Sequence, residues 1–184
     1  MIHILSKLTI LLSLLALNEN KMDWDRIHNA PTIEEKALFG MINDYRQSLN
    51  LPTVPFSKAL NKVAQAHARD LMDNHTPDKR CNMHSWSKKG PWFPCCYTDN
   101  HKKAPCLWDK PKEIAGYDSP GYEVAYWHSA KAQPASALEV WINSPGHHAV
   151  LANLGPFKQA EWKAMGVGIY QQYAVVWFGE MEDL

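Results

Sequence analysis

The sequence predicts an α+β sandwich, and three observations carry that reading. Two stretches with apolar residues at helical spacing follow residue 32, and shorter helical stretches come after a long aperiodic segment. Two β-strand patterns close the chain. Helices first and strands last do not give the alternation that builds a parallel sheet. The 184 residues suffice for one domain of about 150 residues with an N-terminal extra, and are too few for two full domains.

Composition narrows the function classes. Nineteen Lys and Arg balance nineteen Asp and Glu, so the basic excess of a nucleic-acid binder is missing. A hydrophobic fraction of 46% with 21% charged residues is that of a globular chain with a core rather than a disordered one. Eight tryptophans supply large aromatic surface for a core or a binding groove.

At the N-terminus, Lys7 precedes an apolar run from residue 8 to residue 17, and polar Asn18, Glu19 and Asn20 follow. Such a run is too short to cross a bilayer as a helix, which takes roughly 20 residues. It is the pattern of a secretory signal peptide over residues 1–20, with cleavage expected between Ala16 and Lys21. The expected localisation is therefore extracellular or periplasmic, with no membrane span in the mature protein.

Secretion changes how Cys81, Cys95, Cys96 and Cys106 are read, because an oxidising compartment favours disulfides. A bridge between the neighbours Cys95 and Cys96 would be strained. Two pairings remain: Cys81–Cys95 with Cys96–Cys106, or Cys81–Cys96 with Cys95–Cys106. A structural zinc on Cys81-x-x-His84 competes with both, but the usual second half of such a site is missing.

The elements follow in order. Thr32 and Glu35 form a capping box, and Leu38, Met41, Ile42, Tyr45 and Leu49 mark the inward stripe of a helix ending near Asn50. Pro52 and Pro55 break it. Ser57 caps a second helix, whose inward face carries Leu60, Val63, Ala64, His67, Leu71 and Met72 and which ends near Asn74. From residue 75 to residue 122 periodicity is lost, proline is frequent and all four cysteines occur. So long an irregular stretch is expected only where it is functional or stapled. A third helix is expected over residues 135–143, with Ala137, Leu138 and Trp141 inward, and a fourth over 147–153, led by Pro145. Strands are expected over 164–170 and 174–178, joined by Gln171, Gln172 and Tyr173.

Several segments are hard to explain as generic core: Cys81-Asn82-Met83-His84-Ser85-Trp86, Gly121-Tyr122-Glu123-Val124-Ala125-Tyr126, and the run from Val140 to Asn153 that contains Trp141-Ile142-Asn143-Ser144-Pro145-Gly146-His147. With Met165-Gly166-Val167-Gly168-Ile169-Tyr170 and Tyr173-Ala174-Val175-Val176-Trp177-Phe178-Gly179, they resemble the CAP superfamily. That group contains cysteine-rich secretory proteins, antigen 5 and pathogenesis-related 1 proteins, and its domain is also called SCP. The resemblance covers residues 32–180, with a Cys- and Trp-rich insertion at about 85–120, and is greatest to the bacterial secreted branch.

The resemblance implies an α-β-α sandwich, in which a central antiparallel sheet lies between helical layers beside a cleft of two histidines and acidic residues. Carried over, His84 matches the family's first histidine, Glu123 its Gly-Glu-Asn acid, and His147 the histidine after Ser-Pro-Gly. Tyr122 intervenes between Gly121 and Glu123. A one-residue slip reverses a strand side chain, so Glu123 is expected in the cleft only if a bulge or a shifted start corrects it. Where eukaryotic members carry a second Glu, this chain has Ser144, and Glu139 is the nearest substitute, on a different helical face.

Two imidazoles with a carboxylate make a shell for Zn²⁺ or another divalent cation and leave a position for water. His67, on the apolar face of the second helix, reads as a satisfied core histidine, and His148 as a surface one. His75, His101 and His128 fall in or near loops. Trp141 and Trp177 read as core; Trp86, Trp92, Trp108 and Trp127 read as packed, with a ligand groove as their other use. No G-x-S-x-G elbow, Walker A motif or dinucleotide fingerprint occurs. The expected function is a binding or interaction module for an extracellular lipid, glycan or protein, with a metal-dependent, peptidase-like hydrolase as the alternative.

Overall fold

A computed structural model describes residues 30–75 and 80–183; the expected signal peptide lies outside the described residues. The first helix, α1 (Ile33–Ser48), starts at the capping box. Thr32 N–H donates to Glu35 Oε2 at 2.8 Å, and Glu35 N–H donates to Thr32 Oγ1 at 3.2 Å. The cap reaches further than its own helix. Glu35 Oε1 also accepts from the backbone N–H of Ile169, and Oε2 from the side-chain amide of Gln65. A local helix-start signal thus doubles as a tie between three elements.

The buried stripe of α1 differs from the expected one. Leu38 and Ile42 are buried, but Met41 and Leu49 are exposed, and the charged Glu35 and Arg46 complete the inward face. Arg46 can be buried because its donors are met: Nη1 by Leu151 O and Asn153 Oδ1, and Nε by Pro52 O. Burial pushes its pKa down to about 10. The helix stops at Ser48, and Asn50 adopts a left-handed conformation, φ 59°.

Helix α2 (Lys58–Asn74) begins where Ser57 Oγ accepts from Leu60 N–H at 2.9 Å. Its expected face is buried except for Met72. The buried surface is wider than one apolar stripe and takes in Asn61, His67 and Asp70.

Residues 75–122 are not wholly irregular. Two short helices, α3 (Ala104–Trp108) and α4 (Lys110–Ala115), lie there, each with proline in its first turn. Proline suits that position because its missing N–H has no helical partner to lose, so Pro105 and Pro111 start helices here rather than break them. Gly116, at φ 68°, ends α4. The disulfides are Cys81–Cys96 and Cys95–Cys106, which decides between the two pairings and removes the Cys81-x-x-His84 zinc idea. Trp86 and Cys95 exchange both backbone hydrogen bonds, so the staple sits on a small two-stranded bridge.

Strand β1 (Gly121–Trp127) precedes helices α5 (Pro134–Asn143) and α6 (Pro145–Leu151). The second of these starts two residues before the expected boundary, at its proline, and stops at Leu151. Strands β2 (Ala164–Tyr170) and β3 (Tyr173–Gly179) form a hairpin with Tyr170 opposite Tyr173. The connection is therefore shorter than expected, since Tyr173 already belongs to β3. The sheet order is β1-β3-β2, antiparallel throughout.

Alternation along the strands divides the core into two layers. Ala125, Val175 and Trp177 face α2 and the disulfide-braced insertion. Val124, Tyr126, Ala174, Val176 and Phe178 face α1, α5 and α6. This is the expected helix–sheet–helix sandwich. Gly166 and Gly168 let α2 lie on β2: a Cβ at Gly168 would come within 2.2 Å of the Ala64 backbone. Trp141 and Trp177 are fully buried, and Trp86 and Trp92 nearly so, whereas Trp108 and Trp127 are partly exposed. Among the described residues no helix is long and apolar enough to cross a membrane.

Candidate functional site

Four side chains from four segments converge at the end of the sheet next to the insertion: His67 on α2, His84 in the loop after it, Glu123 on β1 and His147 in the first turn of α6. The His84 loop is held by its own backbone and by the cross-link. Asn82 Oδ1 accepts from His84 N–H at 3.1 Å, Asn82 N–H donates to Tyr97 O at 2.9 Å, and Cys81 is bridged to Cys96. Ser85 Oγ accepts from Tyr97 N–H at 2.9 Å, so the two arms of the staple are clamped beside the histidine.

Strand β1 pairs with β3 in unbroken register, with Glu123 opposite Trp177. No bulge is needed to bring Glu123 into the site. Tyr122 faces the other layer, where it packs on Phe157 and Trp162. The Glu123 side chain is fully buried and both of its oxygens are engaged: Oε1 lies 2.7 Å from His84 Nδ1, and Oε2 is hydrogen-bonded to His67 Nδ1.

His67 is a buried histidine with satisfied nitrogens, as its place on the helix predicts, but its partner makes it part of the site. Its Nε2 is 3.0 Å from Ser85 O, and its ring stacks on Trp86 at 4.1 Å with 7° between the planes. Burial by itself would raise the Glu123 pKa; the facing His67 and His84 outweigh it and leave the carboxyl below its ordinary value. Burial by itself would lower the His67 pKa, and the carboxylate, the Ser85 carbonyl and Asp70 turn the net shift upward. Each partner thus favours the charged form of the other.

His147 comes into place because Pro145 and Gly146 open α6 and turn its first-turn side chain back toward Ser144. Its Nδ1 lies 2.8 Å from Ser144 Oγ, and its ring is 6.3 Å from that of His84. Burial, and then the neighbouring His84, push its pKa down to about 4, so the ring is neutral at physiological pH. Among the described residues no hydrogen bond engages Nε2 of His84 or of His147. The phenol of Tyr97 stands edge-on to His84 at 5.4 Å and bonds His101 Nδ1 at 2.9 Å.

Of the residues expected in the cleft, His84, Glu123 and His147 come together. Glu139 is exposed on α5, where its backbone carbonyl accepts from the Asn143 amide. Ser144, at the position of the family's second acid, instead holds His147. His148 is half-buried, with Nε2 2.8 Å from the Tyr45 hydroxyl, rather than a free surface residue. His67 as a site member and Tyr97 were not legible in advance. An i, i+3 pattern, His67 with Asp70, was the available signal for a helix face that grips polar chain: Asp70 accepts from Ser87 N–H and Oγ–H, one turn along from His67 on Ser85.

The residues that could hold a divalent cation are His84 and His147: each ring is engaged through Nδ1, which leaves its Nε2 lone pair open to one. Among the described residues no group of three or more His, Cys, Asp or Glu is arranged as a metal cage, so the remaining positions would fall to water or to a ligand.

Comparison with known proteins agrees with this architecture. Among solved structures, an extracellular SCP-domain protein from Bacillus anthracis is similar with a TM-score of 0.55 and 20% identity, over 80% of this chain and 40% of that one. An outer surface protein from Borrelia burgdorferi is similar with a TM-score of 0.52 and 21% identity, over 83% of this chain and 97% of that one. A cysteine-rich secretory protein from Staphylococcus aureus follows with 0.51 and 15%, over 80% and 39%. This chain thus spans about 40% of the length of the Bacillus protein, and the likenesses establish the fold alone. No curated protein matches the sequence. The family model described as the cysteine-rich secretory protein family, CAP, matches residues 39–177, and the chain belongs to that family.

Proposed function

We propose that this protein is a secreted CAP-domain binding module whose cleft holds a divalent cation, Zn²⁺ being the best fit, through Nε2 of His84 and of His147. The observation that carries the reading is the commitment of Glu123. A hydrolase would need a base beside the water to be activated, and both oxygens of this buried carboxylate are occupied by His67 and His84. It braces a ligand instead. A bound zinc would supply Lewis acidity and lower the pKa of a coordinated water. The chain's own part is to fix two neutral imidazoles and leave the other positions open to an extracellular lipid, glycan or protein.

Secretion is supported by the two disulfides, by the extracellular and outer-surface descriptions of the similar proteins, and by the signal-peptide pattern of residues 1–20. The test is calorimetric titration of Zn²⁺ into the oxidised protein, beside the His84→Ala/His147→Ala double variant. One-to-one binding that the variant loses is expected. No binding to the wild type, or equal binding to both, overturns the proposal.

A further inference from the structure

We propose that a pocket at the outer edge of β2 binds a small neutral molecule with a compact apolar body and an amide edge, an N–H beside a C=O. The pocket measures about 230 Å³ and is lined by Phe39 of α1, Phe56 of the segment bridged to Met165, Asn61 of α2 and Val167 of β2, with exposed Lys36 at its rim. The sheet order β1-β3-β2 puts it on the opposite edge from Glu123, so the proposal stands apart from the cation reading.

Asn61 carries the argument. It is fully buried, and among the described residues neither its Oδ1 nor its Nδ2 has a hydrogen-bond partner. Buried carboxamides are nearly always paired, because an unmet polar group in apolar surroundings is costly. A Cβ on Gly166 would come within 2.1 Å of Asn61 N, so the helix backbone lies directly on β2 here and Asn61 reaches the pocket beside the strand. One turn along α2, Gln65 gives its Nε2 to Glu35 and leaves Oε1 unmet. The strand adds a second pair of groups. Alternate residues of an antiparallel edge strand turn N–H and C=O outward together. On β2 these are Met165, bonded to Pro55 O and Ser57 N–H, and Ile169, whose N–H donates to Glu35 Oε1. Val167 lies between them with the same orientation, and no bond from the described residues reaches its outward groups.

These groups select the ligand. A carboxamide and a strand amide each present one donor and one acceptor side by side, which an amide edge matches and a hydrocarbon does not. Phe39 and Phe56 meet edge to face at 5.8 Å and supply the apolar wall. A cavity of about 150 Å³ suffices for benzene, so one of about 230 Å³ takes a single ring with its substituent. Charge is selected against from both signs. Glu35 lines the pocket with both oxygens already accepting from N–H groups, which disfavours an anion, and the Lys36 ammonium at the rim disfavours a cation.

The test is a ¹H–¹⁵N NMR titration of the wild type and of Asn61→Leu with benzamide, toluene and benzoate. Benzamide is expected to bind the wild type with a dissociation constant of about 1 mM or below, more tightly than toluene or benzoate, and to shift the amide signals of Lys36, Phe39 and Val167. Asn61→Leu keeps the bulk of the side chain and removes both polar atoms. It should bind benzamide about tenfold more weakly and lose the preference over toluene. No binding of benzamide to the wild type, the result if ordered water alone meets Asn61, overturns the proposal. So do shifts confined to other parts of the molecule, or equal affinity for toluene or benzoate. These outcomes are read from the wild type and hold even if the variant fails to fold. A folded Asn61→Leu protein with unchanged benzamide affinity overturns the proposal as well.

Discussion

Glu123 Oε1 and His84 Nδ1 are 2.7 Å apart, and this contact joins the edge strand β1 to the loop that follows α2 across 39 residues of sequence. It brings a buried carboxylate behind the histidine rather than beside it. Glu123→Gln keeps the shape but removes the carboxylate that faces both His67 and His84, so a buried imidazole nitrogen loses its partner. Leaving a buried polar group unsatisfied costs about 1–3 kcal/mol. Urea unfolding of the variant should show a loss of that size, and an unchanged midpoint would deny that Glu123 braces the two rings.

His147 makes acid the weak side of the protein. Burial, then His84, lower its folded pKa from the ordinary 6.5 to about 4, so between those values the unfolded chain binds a proton that the folded protein does not. Stability from this group is complete above 6.5 and is lost as the pH falls toward 4. Denaturation midpoints of zinc-free protein should decline across that window, and His147→Asn should flatten the decline. Equal slopes in the two proteins would place the acid sensitivity elsewhere.

Gly168 is where the second helix touches the sheet. A Cβ there would lie 2.2 Å from Ala64 C and 2.3 Å from Ala64 O, and backbone cannot swing aside as a side chain can. Gly168→Ala should therefore cost at least the roughly 1–3 kcal/mol typical of overpacking, read as a lowered thermal midpoint. Gly40, with nothing within 4 Å of the added Cβ, is the matched control and should tolerate Ala.

The two disulfides should not be equivalent for the site. Removing Cys81–Cys96, which closes a separation of 15 residues, should cost about 3 kcal/mol by the chain-entropy account and also release the Asn82–Tyr97 clamp beside His84. Cys95–Cys106 closes 11 residues and should cost slightly less. Zinc affinity measured on the two double-serine variants should fall further for Cys81→Ser/Cys96→Ser, and the opposite order would deny that this bridge supports the histidine.

What could be read directly from the sequence is local in its physics. The Thr32–Glu35 cap and the Ser57 cap depend on residues three apart, and the 164–170 strand depends on alternation within a few positions, so neighbours in the chain settle them. The family segments placed His84, Glu123 and His147 in one cleft because motif order reflects an architecture shared with other chains. Tertiary structure decided what depends on distant partners. Glu123 faces the cleft because the whole of β1 is in register with β3, and a residue's face cannot be known before its pairing partner is. Arg46 is core because carbonyls of Pro52 and Leu151 reach it, whereas its charge alone predicts the surface. Pro105 and Pro111 begin helices because each falls in a first turn, where its missing N–H has no helical partner to lose, and only the folded path of the chain puts them there. His67 looked like one more buried residue on an apolar face, and only the approach of Glu123, 56 residues away in the chain, makes it part of the site, because a buried charge is defined by what is folded against it.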